Sequence, residues 1–209
     1  MIDNIINLVK IPEHEIAAVY FYGSRVYGTH RMDSDNDYIV VYRGEHDKDS
    51  NQYDSHDKKL SVQCYSSKSW QTHVNNHKIF ALESLSLPSH LSYGAFSRIE
   101  YEKFSFSLDK SILRTEISAK SSNSWVKCKK KLEVENDYLS GIKSLFHSFR
   151  IPIFGIQIAK YGTIIDFSAA NSWWFLHFEP MLLSKPSWDE IKPIYQPIYN
   201  SIMSDFRSV

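Results

Sequence analysis

The chain is poor in cysteine, has no excess charge of either sign and contains no long apolar run. Two cysteines, Cys64 and Cys128, stand among 209 residues and form no C-x-x-C pair. That excludes a cysteine-built metal ribbon, and one conceivable bridge is no disulfide framework. The expected setting is therefore reducing and cytoplasmic. Basic and acidic residues balance at 24 each, so no overall field draws the chain to nucleic acid or to a membrane. No segment approaches the roughly 20 apolar residues that span a bilayer. The opening MIDNIINLVK lacks the basic stretch and long apolar run of a secretory signal. Internal repeats and low-complexity runs are also missing. Partners are expected in solution, with no membrane among them.

Aromatic residues are plentiful, with 13 Tyr, 12 Phe and 5 Trp. Their ordinary use is to fill a core. The length suffices for one sizeable core or two small lobes. Residues 3–10 read as a short helix capped by Asp3 and ended by Pro12. The runs AAVYFY (17–22) and DYIVVY (37–42) read as buried strands, and LSVQCY (60–65) alternates as a strand does. Residues 24–31 read as a brief helix or turn, and 43–59 as a loop or frayed hairpin. Residues 67–87 read as helical up to Pro88. Beyond Leu108 the patterns are helical, with interruptions expected at Gly141, Pro152 and Gly162. A last helix over 187–206 is entered through Ser187 and disturbed by Pro193 and Pro197. The predicted fold class is α+β (mixed α/β): an N-terminal lobe with a small mixed sheet over 1–107, then an all-helical lobe over 108–209.

The stretch FYGSRVYGTHRMDSDNDYIVV, residues 21–41, carries the chemistry. Gly23 lets the backbone turn sharply and approach a ligand with no Cβ in the way. Ser24 offers a hydroxyl and an N–H at a helix start, where phosphate oxygens are favoured. Asp35 and Asp37 lie two apart at the mouth of a strand, so both project from one face. Such carboxylates repel each other unless a cation lies between them. Magnesium, bound through few carboxylates and the phosphates of a substrate, is the natural cation. A calcium loop starting at Asp33 is excluded, since its sixth and twelfth positions hold Tyr38 and Gly44 instead of Gly and a carboxylate. Tyr27 and Tyr38 are either base-stacking platforms or core residues.

The pattern G-S-x(10)-D-x-D between two apolar strands resembles the signature of the DNA polymerase beta nucleotidyltransferase superfamily. Gly23-Ser24-Arg25 with Gly28, then Ser34-Asp35-x-Asp37, resembles one branch more closely: the RNA-repair-associated (RlaP-type) proteins of bacteria and phages. YSSKSW (65–70) with IFALESLSLP, and Lys143-x-x-x-His147-x-x-Arg150, also resemble that branch, so the likeness covers about residues 15–165. The resemblance implies that Asp35 and Asp37 are catalytic and hold Mg2+ or Mn2+. It implies that Gly23, Ser24, Arg25, Lys143, His147 and Arg150 bind the nucleoside triphosphate. Arg25 either contacts phosphate or pairs with a nearby Asp. His147 either serves phosphate and proton transfer or is an interface histidine. The superfamily's usual third carboxylate has no counterpart at Ser61 or Gln63, so it is either absent or supplied by Asp54 or Asp57.

Between Lys110 and Lys131 seven basic residues face Glu116 alone, a local net of +6. This is either a solvated helix face or a phosphate-tracking surface, for which Lys127, Lys129 and Lys130 are the candidates. The resulting expectation is transfer of a nucleoside monophosphate to an RNA or tRNA 3′ end. Alternatives are transfer to a protein side chain or small molecule, or a decayed, non-catalytic nucleotide- or partner-binding protein.

Overall fold

The structure, a computed structural model, describes residues 2–44, 48–92 and 95–209. The chain divides into two compact units, Met1–Ser107 and Leu108–Val209.

The first unit is built on four strands: β1 (Ile16–Tyr22), β2 (Asn36–Tyr42), β3 (Gln52–Asp54) and β4 (Leu60–Ser66). They lie in the order β1-β2-β4-β3. The sheet is mixed, because β1/β2 and β3/β4 pair antiparallel while β2/β4 pair parallel. Period-two alternation divides it into two faces. One face presents Val19, Tyr38, Val40, Tyr42, Val62 and Cys64 to helix α1 (Ile2–Val9), whose Ile5 and Val9 are fully buried there. The other presents Tyr20 and Tyr65. Trp70 of α3 (Ser67–Asn75) stacks on Tyr20 at 5.6 Å and packs on Tyr65 at 5.4 Å. The exposed edge of β1 is covered, since Glu102 N–H donates to Ala17 C=O and Tyr101 Oη to Val19 C=O.

One expectation for this unit needs correction. The helical stretch 67–87 is two helices, α3 and α4 (Ile79–Leu85), separated where His77 takes a φ of 54°. Of the two readings of 43–59, loop or frayed hairpin, the structure has the hairpin, with Gln52–Asp54 paired antiparallel to β4; 45–47 lie outside the described residues. The short α2 (Ser24–Tyr27) ends at Gly28, whose left-handed φ of 78° no β-carbon-bearing residue adopts cheaply. Tyr27 and Tyr38 are both 3 % exposed, and so belong to the core. Tyr27 Oη donates to the buried Glu83 carboxylate at 2.6 Å.

The second unit pairs two 24-residue helices, α5 (Lys110–Glu133) and α6 (Tyr138–Tyr161). A one-turn α7 (Asn171–Trp173), a π turn over Trp174–Phe178 and α8 (Met181–Ser184) lead to α9 (Trp188–Ser208). A Ser187/Glu190 capping box starts α9, which runs through Pro193 and Pro197. Helix α6 likewise runs through Gly141 and Pro152, contrary to expectation, and stops at Gly162 with a φ of 74°. Proline at 152 deprives the Ser148 carbonyl of its helical donor. The hydroxyl of Ser121 on α5 donates to that carbonyl at 2.7 Å, and both serines are wholly buried. No described helix is long and apolar enough to cross a membrane. Cys64 and Cys128 are buried thiols, and burial pushes both up to about 12.

Gly155 is where α6 meets its neighbours most closely. A Cβ there would lie 2.8 Å from the Phe206 ring and 3.0 Å from Ile117. Gly155→Leu is expected to destabilise the protein by about 1–3 kcal/mol through overpacking, read as a lower urea midpoint with an unchanged slope.

Candidate active site

The turn from β1 into α2 brings Gly23 onto the Asp37 carboxylate. Tyr22, the last residue of β1, is in register with Asp37 on β2. Gly23 follows with a φ of 79°. A Cβ on Gly23 would lie 2.2 Å from Asp37 Oδ2, well inside contact distance. Glycine is therefore required twice over, by its backbone angle and by the carboxylate against its Cα. Ser24 opens a single helical turn. Thr29 N–H closes that turn onto the Ser24 carbonyl at 3.0 Å. So short a helix has little dipole, and the donors available to an anion are the local hydroxyl and N–H groups of the turn.

Arg25 has a role the sequence did not single out. Its Nε donates to the Asp35 carbonyl at 3.0 Å and one Nη to the Ser34 carbonyl at 2.7 Å. The guanidinium thus ties the Asp35 backbone to the helix that follows Gly23. Two of its donors are committed to that task, which leaves the rest of the fork for a ligand.

Neither Asp54 nor Asp57 joins Asp35 and Asp37. Asp37, Ser61 and Asp54 form one row across β2, β4 and β3, with Ser61 in the middle. Two strand spacings separate the outer members, about 10 Å. Hydrogen bonds from Gln52 and Ser61 lower the Asp54 carboxyl below its usual value. Asp57 accepts from Ser55 Oγ at 2.6 Å and from the Lys59 N–H at 3.1 Å. Among the described residues no three His, Cys, Asp or Glu side chains gather as a metal site would need.

In the second unit, Lys143, His147 and Arg150 share one face of α6, but at different depths. Lys143 is exposed, His147 half-buried and Arg150 only 3 % exposed. Arg150 lies against the Phe154 ring at 4.9 Å and donates from Nε to His147 Nδ1 at 3.3 Å. Since Arg Nε is always a donor, His147 is the tautomer protonated at Nε2. Burial first, then the charges of Arg150, Lys127, Lys143 and Lys120, hold this imidazole well below its usual 6.5. It is a neutral donor at physiological pH. Lys127 and Lys120 sit seven residues apart, two turns along α5, and that spacing was the available signal for Lys120. Lys129 and Lys130 are instead ion-paired with Glu133 and Glu135.

A nucleotidyltransferase domain family matches residues 2–113, which is 112 of 209 residues. The chain belongs to this family. Among solved structures, a nucleotidyltransferase-like protein from Exiguobacterium sibiricum is similar, with 10% identity and a TM-score of 0.35 over 97% of this chain and 73% of that one. No curated protein matches. The glycine turn, Ser24 and both aspartates all lie inside the nucleotidyltransferase domain.

Two outcomes follow from this geometry. Gly23→Ala is expected to cut nucleotidyl transfer about 100-fold by displacing the Asp37 carboxylate, with circular dichroism unchanged. For His147, the unfolded chain binds more protons than the folded one below pH 6.5, so stability is lost as pH falls below that value. His147→Gln should lose less stability between pH 7 and pH 5 than the parent in urea denaturation at the two pH values.

Proposed function

We propose that the chain transfers a nucleoside monophosphate from a nucleoside triphosphate to an acceptor hydroxyl, the 3′ end of an RNA, with release of pyrophosphate. The observation that carries this reading is the contact of Gly23 Cα with the Asp37 carboxylate inside a nucleotidyltransferase domain. It sets a phosphate-binding turn directly against a cation-binding acid. The donor set fits Mg2+: two hard carboxylates, with the triphosphate oxygens completing the shell. When bound, that ion neutralises charge on the transferred phosphoryl group. Ser24 holds the phosphates through its hydroxyl and N–H, and Arg25 keeps Asp35 in place. With Ser61 at the centre of the row, no third carboxylate among the described residues stands beside Asp37 to take the acceptor's proton. General-base help of that kind contributes about 10²–10⁴-fold, so turnover is expected to be modest.

RNA as acceptor is supported by Lys120, Lys127 and Lys143, which form no ion pair among the described residues and lie near His147. Their charge is not cancelled locally, unlike that of Lys129 and Lys130. Each phosphate such a lysine neutralises steepens the salt dependence of binding.

The test is incorporation of each α-labelled ribonucleoside triphosphate with magnesium, offered RNA, lysate protein or cationic small molecules. Label in RNA, lost in Asp35→Ala/Asp37→Ala and reduced several-fold by Lys120→Glu/Lys127→Glu, is the expected result. Lys129→Ala should leave it unchanged. Label confined to protein or to a small molecule would move the acceptor, and no label with any acceptor despite triphosphate binding would sink the enzyme reading.

A further inference from the structure

A cavity of about 650 Å3 opens on the α1 side of the sheet, and neither Gly23, Ser24, Asp35 nor Asp37 lines it. Its size falls within the range of small-molecule sites, roughly 300–1,000 Å3. Asn36 does line it, together with Asn4 and Asn7 of α1. Asn36 sits between the two aspartates in sequence. Alternation along β2 sets it on the Tyr38 face, away from Asp37.

The wall has a particular chemistry. Asn4 and Asn7 are three residues apart, on one helical face. Among the described residues neither carboxamide makes a hydrogen bond, although each offers two donors and an acceptor. Asn36 Nδ2 donates to the Lys59 carbonyl at 3.2 Å, which fixes the orientation of its amide. Leu8 and Leu60 supply apolar surface. The two charged residues of the lining, Asp57 and Lys59, offset each other. Such a wall offers no uncancelled cation to a phosphate chain and no uncancelled acid to an amino sugar. Carboxamides that present donor and acceptor side by side match the hydrogen-bonding edge of a nucleobase, and the apolar side chains suit its faces.

We infer that this cavity is a nucleobase-binding site, separate from the carboxylate site and joined to it through β2. The base belongs either to a free nucleoside or to the unpaired end of an oligonucleotide. Strand β2 carries Asn36 on one face and Asp37 on the other. A base held at Asn36 therefore bears on the position of the carboxylates across the width of one strand.

The experiment uses the intact protein without triphosphate or divalent metal. Side-chain carboxamide signals are followed by 1H–15N NMR during titration with adenosine, guanosine, cytidine and uridine. A trinucleotide with a free 3′ hydroxyl forms a second arm, and maltose serves as a polyol control. Saturable shifts with at least one nucleoside are expected, weakened tenfold or more in Asn4→Leu/Asn7→Leu, whose leucines favour the helix. Binding should persist in Asp35→Ala/Asp37→Ala, so the result stands whether or not transfer activity is found. Tighter binding of the trinucleotide would assign the base to an oligonucleotide end, and equal or tighter binding of the nucleoside to a free one; either supports the site. No saturable shift in either arm overturns it. Undiminished binding by the asparagine variant, loss of binding in the aspartate variant, or stronger binding of maltose would do the same.

Discussion

The approach of Gly23 to the Asp37 carboxylate is the constraint on which the first unit depends. Strand β1 must end where it does because Tyr22 is paired with Asp37, and the next residue has to turn over that carboxylate. A left-handed φ makes the turn, and only a hydrogen in place of Cβ leaves room for the oxygen. The following residues close a single helical turn whose arginine reaches back to the Ser34 and Asp35 carbonyls. The glycine-serine turn, the acidic pair and the loop between them thus form one mechanical piece. Displacing any one of the three moves the other two.

The charge of the second unit is organised by pairing rather than by count. The run up to Lys131 is strongly basic, but Glu133, Glu135 and Asp137 follow it immediately and return to pair with Lys129, Lys130 and Lys131. Those exposed pairs are worth little in stability. What they change is the local field, which they cancel at the end of α5. Uncancelled charge is left around His147, where it adds to the larger effect of burial in keeping the ring neutral. A histidine in that state donates a hydrogen bond to an anion without adding positive charge of its own.

Much of this was legible in the sequence, for reasons that can be named. Strands β1, β2 and β4 are short runs of β-branched and aromatic residues, and the glycine-serine turn with its paired aspartates has few other uses. The strand β3 was legible only as one of two readings, a frayed hairpin or a loop, because three residues between turn formers carry no periodicity. Separate helices α3 and α4 were hidden because the break, at His77, uses no glycine or proline. The paired state of Lys129 and Lys130 depends on acids outside the basic run, and the hold of Arg25 on two carbonyls depends on a loop closing in space. Neither leaves a mark in local spacing. The amide-lined cavity joins residues from α1, β2 and the β3–β4 turn, which no motif connects.

Proline at position 152 has a consequence for how the second unit can exist at all. A helix with an interior proline carries a carbonyl it cannot satisfy by itself, and here the hydroxyl that satisfies it belongs to α5. Apart from α5, α6 would have to leave that carbonyl to water at a point that is otherwise dry. Helix α6 thus depends on α5 at this point: it could not be excised or exchanged without leaving its own interior carbonyl unmet.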